Sequence, residues 1–164
     1  MSTNTTIARR PSQLSLDALQ RTAAKLLAAH SVSALRISLG LIIAGFGALK
    51  FVPGWSPAEQ LVMKAVNAMT FGMLTGHTAV AATAALEVFI GLMLLTGKLP
   101  RLTLIISAGW LAGIMSPLVL FPAELFPGGL PTLAAQYILN DVILAAAVAV
   151  VGAKWLGARF VQGQ

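Results

Sequence analysis

Ala79–Thr96, AVAATAALEVFIGLMLLT, decides how this chain is read. It is an unbroken apolar run, long enough at about 1.5 Å per helical residue to cross bilayer hydrocarbon, and Gly97 closes it. One ionisable side chain, Glu87, stands in its middle. A carboxylate at that depth is costly unless it is paired, protonated or turned toward water, so Glu87 is a first place to look for function.

Three further runs repeat the pattern. The first covers residues 33–52, and its core from Ile37 to Leu49 holds no ionisable group. The third covers 102–121 and contains Pro117, which removes a backbone donor and is expected to kink or end the helix. The fourth covers 133–153 and carries a second acid, Asp141. No gap between them is long enough for a separate soluble domain. With 57% hydrophobic and 10% charged residues and a mean hydropathy of +0.85, the chain has too little polar surface to coat a soluble globule. The expected class is an all-α polytopic membrane protein: a bundle of four transmembrane helices with two amphipathic helices added, one N-terminal and one on the outer face.

The formal charge of +6 does not point to nucleic acid. The basic residues sit singly at the ends of apolar runs, where anionic lipid headgroups are the fitting counter-charge. Arg9, Arg10, Arg21, Lys25, Lys98, Arg101, Lys154 and Arg159 fall on one side of the four spans. The other side holds Lys50 and Lys64 against Glu59 and Glu124, so the positive-inside rule puts both termini in the cytoplasm. Residues 1–32 then form a cytoplasmic segment, 33–156 the membrane domain and 157–164 a cytoplasmic tail. The Arg9–Arg10 pair lies too far from the apolar core, and that core is too long, for a twin-arginine export signal.

Two segments read as helical but too polar to span. In 15–30, Leu16, Leu19, Ala23, Leu26 and Leu27 recur at helical spacing with Arg21 and Lys25 on another face, the pattern of a helix lying on the cytoplasmic leaflet. Residues 57–74 begin with Ser56-Pro57-Ala58-Glu59, the signature of a capping box with proline at the first helical position. Leu61, Val62, Ala65, Met69 and Met73 line one side, and Gly76 is the expected terminator. This outer helix is either a lid over the bundle or an interfacial anchor.

Depth links the charged residues. Glu87 and Asp141 each lie roughly 12 Å in from the outer side, because one span descends from there and the other starts there. Lys50 ends the first span on the same side, so it either pairs with these acids or snorkels to the outer headgroups. The acids themselves are either a ligand site or a polar lock between helices. Tyr137 and Asn140 share the Asp141 face and offer hydrogen bonds to an oxygen-rich ligand, with Trp110 as an apolar wall. Arg36, near the cytoplasmic end of the first span, reads as an interfacial anchor. The chain has no cysteine, and His30 and His77 fall on opposite sides of the membrane, so neither a thiolate site nor a bis-histidine haem is expected, nor a tightly held metal.

Several motifs in order carry a resemblance. They are Leu35-Arg36-Ile37-Ser38-Leu39-Gly40 with Phe46-Gly47-Ala48-Leu49-Lys50-Phe51-Val52-Pro53, then Ala85-Leu86-Glu87-Val88-Phe89-Ile90-Gly91-Leu92, Ser116-Pro117-Leu118-Val119, and Leu139-Asn140-Asp141-Val142. Together, over residues 35–152, they resemble the DoxX-like superfamily of small four-helix membrane proteins, including an inner-membrane branch associated with oxidant resistance. The resemblance implies a compact bundle with Lys50, Glu87 and Asp141 near its centre. It also implies a bacterial-type inner membrane and a role beside membrane oxidoreductase subunits, with a quinone as the fitting ligand. The chain departs from the pattern at Asn140, where many relatives carry lysine, which leaves the local charge more negative. The expectation is an accessory or quinone-interacting component of a membrane redox or oxidative-stress system, in partnership with the lipid bilayer and open to homo-oligomerisation. Whether the chain is itself an enzyme stays open. A small proton-coupled permease using the same acids, and a non-catalytic assembly or scaffold protein, are the alternatives.

Overall fold

A computed structural model describes residues 11–158, and among these all regular structure is helical. Arg9, Arg10 and the tail from Arg159 onward lie outside the described residues. The helices are α1 (Pro11–Leu49), α2 (Glu59–Met69), α3 (Gly76–Thr96), α4 (Pro100–Met115), the one-turn α5 (Pro117–Leu120) and α6 (Pro122–Leu125), and α7 (Leu133–Trp155), with a 3-10 turn at Pro127–Gly129 before α7. Four stretches are long and apolar enough to cross a membrane: Leu16–Leu49, Gly76–Thr96, Pro100–Leu120 and Leu133–Trp155.

The amphipathic pattern at 15–30 does not form a separate helix. It is the first half of α1, which runs without a break from Pro11 to Leu49. No proline or glycine stands between Pro11 and Gly40, so nothing in the backbone stops the helix at the point where its polarity changes. At about 1.5 Å per residue α1 is far longer than the roughly 30 Å of a hydrocarbon core.

Breakers act where the chain has them. Gly97 takes the left-handed conformation (φ +68°) and donates its amide to Met93 O, ending α3. Pro100 then opens α4 at a position that needs no donor. Pro117 would leave Gly113 O without its helical partner, and the Ser116 amide and hydroxyl take that carbonyl instead, at 3.2 and 2.7 Å. Beyond it Pro122 and Pro127 cut the chain into single turns before Thr132 caps α7 by accepting from the Ala135 amide.

The start of α2 differs from its sequence signature. The helix begins at Glu59, and Ser56 contributes its backbone carbonyl to the Glu59 amide rather than a side-chain cap. Glu59 does reach back, but to the Gly54 amide at 2.7 Å, where it ties down the α1–α2 turn. The far end closes early too. The Thr70 hydroxyl bonds back to Val66 O, Phe71 turns left-handed (φ +52°) and the Gly72 amide donates to Asn67 O, so this element closes at Thr70, before Gly76, and Gly76 starts α3.

α1 packs on α3 and α7, and α4 packs on α7 and α3, around Leu39, Ile43, Ile90, Leu94, Leu111, Val148 and Val151. Small residues set the closest approach. A β-carbon on Gly91 would stand 2.6 Å from both Cβ and N of Ala44, and one on Gly47 would stand 2.7 Å from Glu87 Cβ. A second apolar cluster, Leu125, Ala135 and Ile138, lies under Leu61 of α2. The amphipathic helix therefore rests its apolar face on α3, α4 and α5, while Lys64 on its other face pairs with Glu124 at the surface.

Candidate functional site

The site follows from the α1–α3 contact. Gly47 lets the last turn of α1 lie against α3 beside Glu87, and Lys50, one turn on, ends the helix with its amide on Gly47 O. A cation at a helix C-terminus is favoured by the exposed carbonyls there. From this position Lys50 Nζ lies 2.5 Å from Glu87 Oε2. Lys50 is 8% and Glu87 3% exposed, so this is a buried ion pair rather than a surface one. The other carboxylate oxygen is also occupied. Trp110 of α4, itself buried, donates its indole N–H to Glu87 Oε1 at 3.2 Å. Three helices thus converge on one carboxylate, and both of its oxygens are satisfied.

Asp141 completes the layer from α7. It is half-buried on the stripe that runs Ile138, Asp141, Ala145, Val148 and Gly152 along the packed face, and it feels the charges of both Lys50 and Glu87. Among the described residues no hydrogen bond or ion pair fixes its carboxylate. With all three groups ionised the cluster carries one uncompensated negative charge.

Of the six residues singled out from sequence, the structure brings Lys50, Glu87 and Trp110 into direct contact and sets Asp141 within their field. Tyr137 and Asn140 are exposed on α7 and make no hydrogen bond to the trio. Lys50 pairs inward rather than snorkelling. Trp110 is more than an apolar wall, since its N–H is a structural donor. That role had a signal: Glu87 precedes Gly97 by as many residues as Trp110 follows Pro100, so a tight antiparallel turn sets them at one level.

Two further polar groups have roles the sequence reading did not give them: Arg36, read there as an interfacial anchor, and Ser107. Arg36 reaches from α1 to the end of α3, where its guanidinium donates to Leu94 O and, at 2.9 Å, to Leu95 O. It serves as the C-terminal cap of a neighbouring helix, where carbonyls lack intrahelical donors. Ser107, one turn before Trp110 on α4, is fully buried with no partner for its hydroxyl.

The chemistry open to this arrangement is proton exchange. Glu87 is held in place by two donors, whereas no described hydrogen bond or ion pair fixes the Asp141 carboxylate in the same layer. Lys50 has three N–H bonds and gives one to Glu87, so donors remain for an incoming oxygen atom. In comparisons with protein-family models, with curated proteins and with solved structures, no match to this chain was found.

Proposed function

We propose that this chain is a DoxX-like four-helix membrane protein of the inner membrane, with both termini in the cytoplasm, serving a membrane redox or oxidative-stress system as an accessory, quinone-interacting component. The observation that carries this reading is the division of labour among the buried acids. Glu87 has both oxygens occupied by Lys50 and Trp110, while Asp141 stands unpinned in the same charged layer.

A quinone exchanges electrons together with protons, and its carbonyl oxygens need donors. The residues present fit that need. Lys50 keeps N–H bonds free for a carbonyl oxygen, and Asp141 supplies or accepts the accompanying proton without disturbing the Lys50–Glu87 contact. Trp110 holds the Glu87 carboxylate against Lys50, so the ammonium stays in the low-dielectric layer instead of turning to the membrane surface. The test is a titration of the purified protein in lipid nanodiscs with a soluble short-chain quinone, read by tryptophan emission and thermal unfolding. Saturable binding that weakens in Asp141→Asn and Lys50→Met supports the reading; no binding in the wild-type protein ends it.

The half-buried Asp141 carboxylate, held by no described hydrogen bond or ion pair, favours a second reading, a small proton-coupled permease. Proteoliposomes that accumulate a solute under a pH gradient, and lose that uptake in Asp141→Asn, would establish it in place of the first.

A further inference from the structure

A second feature lies at the opposite end of the helices from Lys50. An open groove of about 680 Å³ runs between α1 and the end of α7, lined by Ala28, Ser31, Val32, Val150, Lys154 and Gly157, with Ala158 at its edge. Its walls are mostly small or aliphatic, and its polar atoms gather at Ser31 and Lys154.

Cations predominate around the groove. Arg21, Lys25, Ala28 and Val32 recur at helical spacing on α1, so the cationic side chains extend the wall formed by the last two past the end of α7. Lys154, in the last turn of α7, adds a third cation. Asp17 is the acid of this face, one turn beyond Arg21, while Glu59, Glu87, Glu124 and Asp141 all belong to the other half of the molecule. No described carboxylate forms an ion pair with Lys154.

Depth supplies the second argument. On α1 the cytoplasmic end of the packed spans is marked by Arg36, which reaches the last carbonyls of α3. Ala28, Ser31 and Val32 lie one to two turns beyond it, at headgroup level with Lys154, and Trp155 is of the type that anchors there. Val32 and Val150 are the groove residues nearest the hydrocarbon. An apolar slot that opens onto cations at headgroup depth matches a molecule with a hydrocarbon tail and an anionic head.

We propose that this groove is a binding site for one anionic phospholipid, its acyl chain along Val32 and Val150 and its phosphate between Lys154 and Lys25, with the Ser31 hydroxyl as a further donor. The proposal needs the membrane placement given above but is independent of the redox reading. Lipid held there would brace the protruding half of α1 against α7.

The test is native mass spectrometry of the full chain released from nanodiscs of phosphatidylcholine with phosphatidylglycerol of the same acyl chains. One retained phosphatidylglycerol per chain is expected, with no equivalent phosphatidylcholine adduct. Lys154→Glu should weaken it about tenfold or more, from the loss and reversal of one charge near the surface. Ala28→Phe, which fills the slot at constant charge, should remove it. Lys98→Glu, which makes the same change in net charge outside the groove, should leave it intact. Far-UV circular dichroism confirms that each variant is folded.

Equal adducts of both lipids, or an adduct unchanged in Ala28→Phe, would overturn the site while leaving the membrane reading untouched. A groove filled by a second copy, seen as a dimer mass, or an equivalent adduct of inorganic phosphate alone, would overturn it as well. Extraction of the protein from vesicles by alkaline carbonate would instead remove the membrane placement itself.

Discussion

Lys50 closes the last turn of α1 and sets its ammonium 2.5 Å from the Glu87 carboxylate in the middle of α3. Both are buried, so removing one partner leaves a charge with neither water nor a counter-ion. Lys50→Met is expected to destabilise the fold by about 3–5 kcal/mol. Lys50→Met with Glu87→Gln should recover much of that loss, because the amide still accepts from Trp110 and the buried Glu87 charge is gone. Thermal unfolding in mild detergent measures both, and a double variant as unstable as the single would refute the pairing as the cause.

Trp110→Phe separates the indole N–H from the ring. Phenylalanine keeps much of the packing against Ile90 and Val148 but leaves Glu87 Oε1 without its donor. The expected loss is about 1–3 kcal/mol. Trp110→Phe in the Glu87→Leu background should cost far less, since no buried oxygen is then left unpaired.

Gly91 and Gly45 make a matched pair. Alanine at Gly91 meets Ala44 of α1 at 2.6 Å, backbone included, and is expected to cost about 1–3 kcal/mol through forced separation of α1 and α3. At Gly45 nothing lies within 4 Å of an added β-carbon, so alanine there should be neutral or stabilising by about 0.5–1 kcal/mol. Equal effects at the two positions would contradict the close helix contact.

Arg36→Gln removes a charged donor from the last carbonyls of α3 and should cost about 1–2 kcal/mol. Gly97→Ala should be destabilising for two reasons. Its backbone is left-handed, and an added β-carbon meets the Arg36 guanidinium at 3.3 Å. Slower amide exchange at Leu94 to Gly97 in the wild type than in Arg36→Gln is the local readout.

Ser107→Ala tests the orphaned hydroxyl. Because the buried Oγ has no hydrogen bond to lose, alanine is expected to leave unfolding within about 0.5 kcal/mol of wild type or to raise stability. A loss above about 1 kcal/mol would mean that the hydroxyl has a partner in the membrane.

The local features were legible because they depend on a few adjacent residues. Four apolar stretches follow from hydropathy, and the breaks at Gly97 and Pro117 follow from backbone freedom and a missing donor. The same logic explains the misjudged α1. A change from amphipathic to apolar pattern alters what surrounds a helix without supplying anything that ends it, so α1 continues through the change.

What the sequence alone determined is therefore the number of apolar helices and most of their ends; that the end of α1 meets Glu87 in the middle of α3 is a feature of the tertiary structure. Only the tertiary structure decided how each helix is rotated. An apolar helix has little difference between its faces to say which one turns inward. That choice came from the small residues at Gly47 and Gly91, which bring α1 onto α3. It put the Trp110 N–H on Glu87 and Arg36 on the end of α3, and it left Tyr137 and Asn140 on the outside of α7.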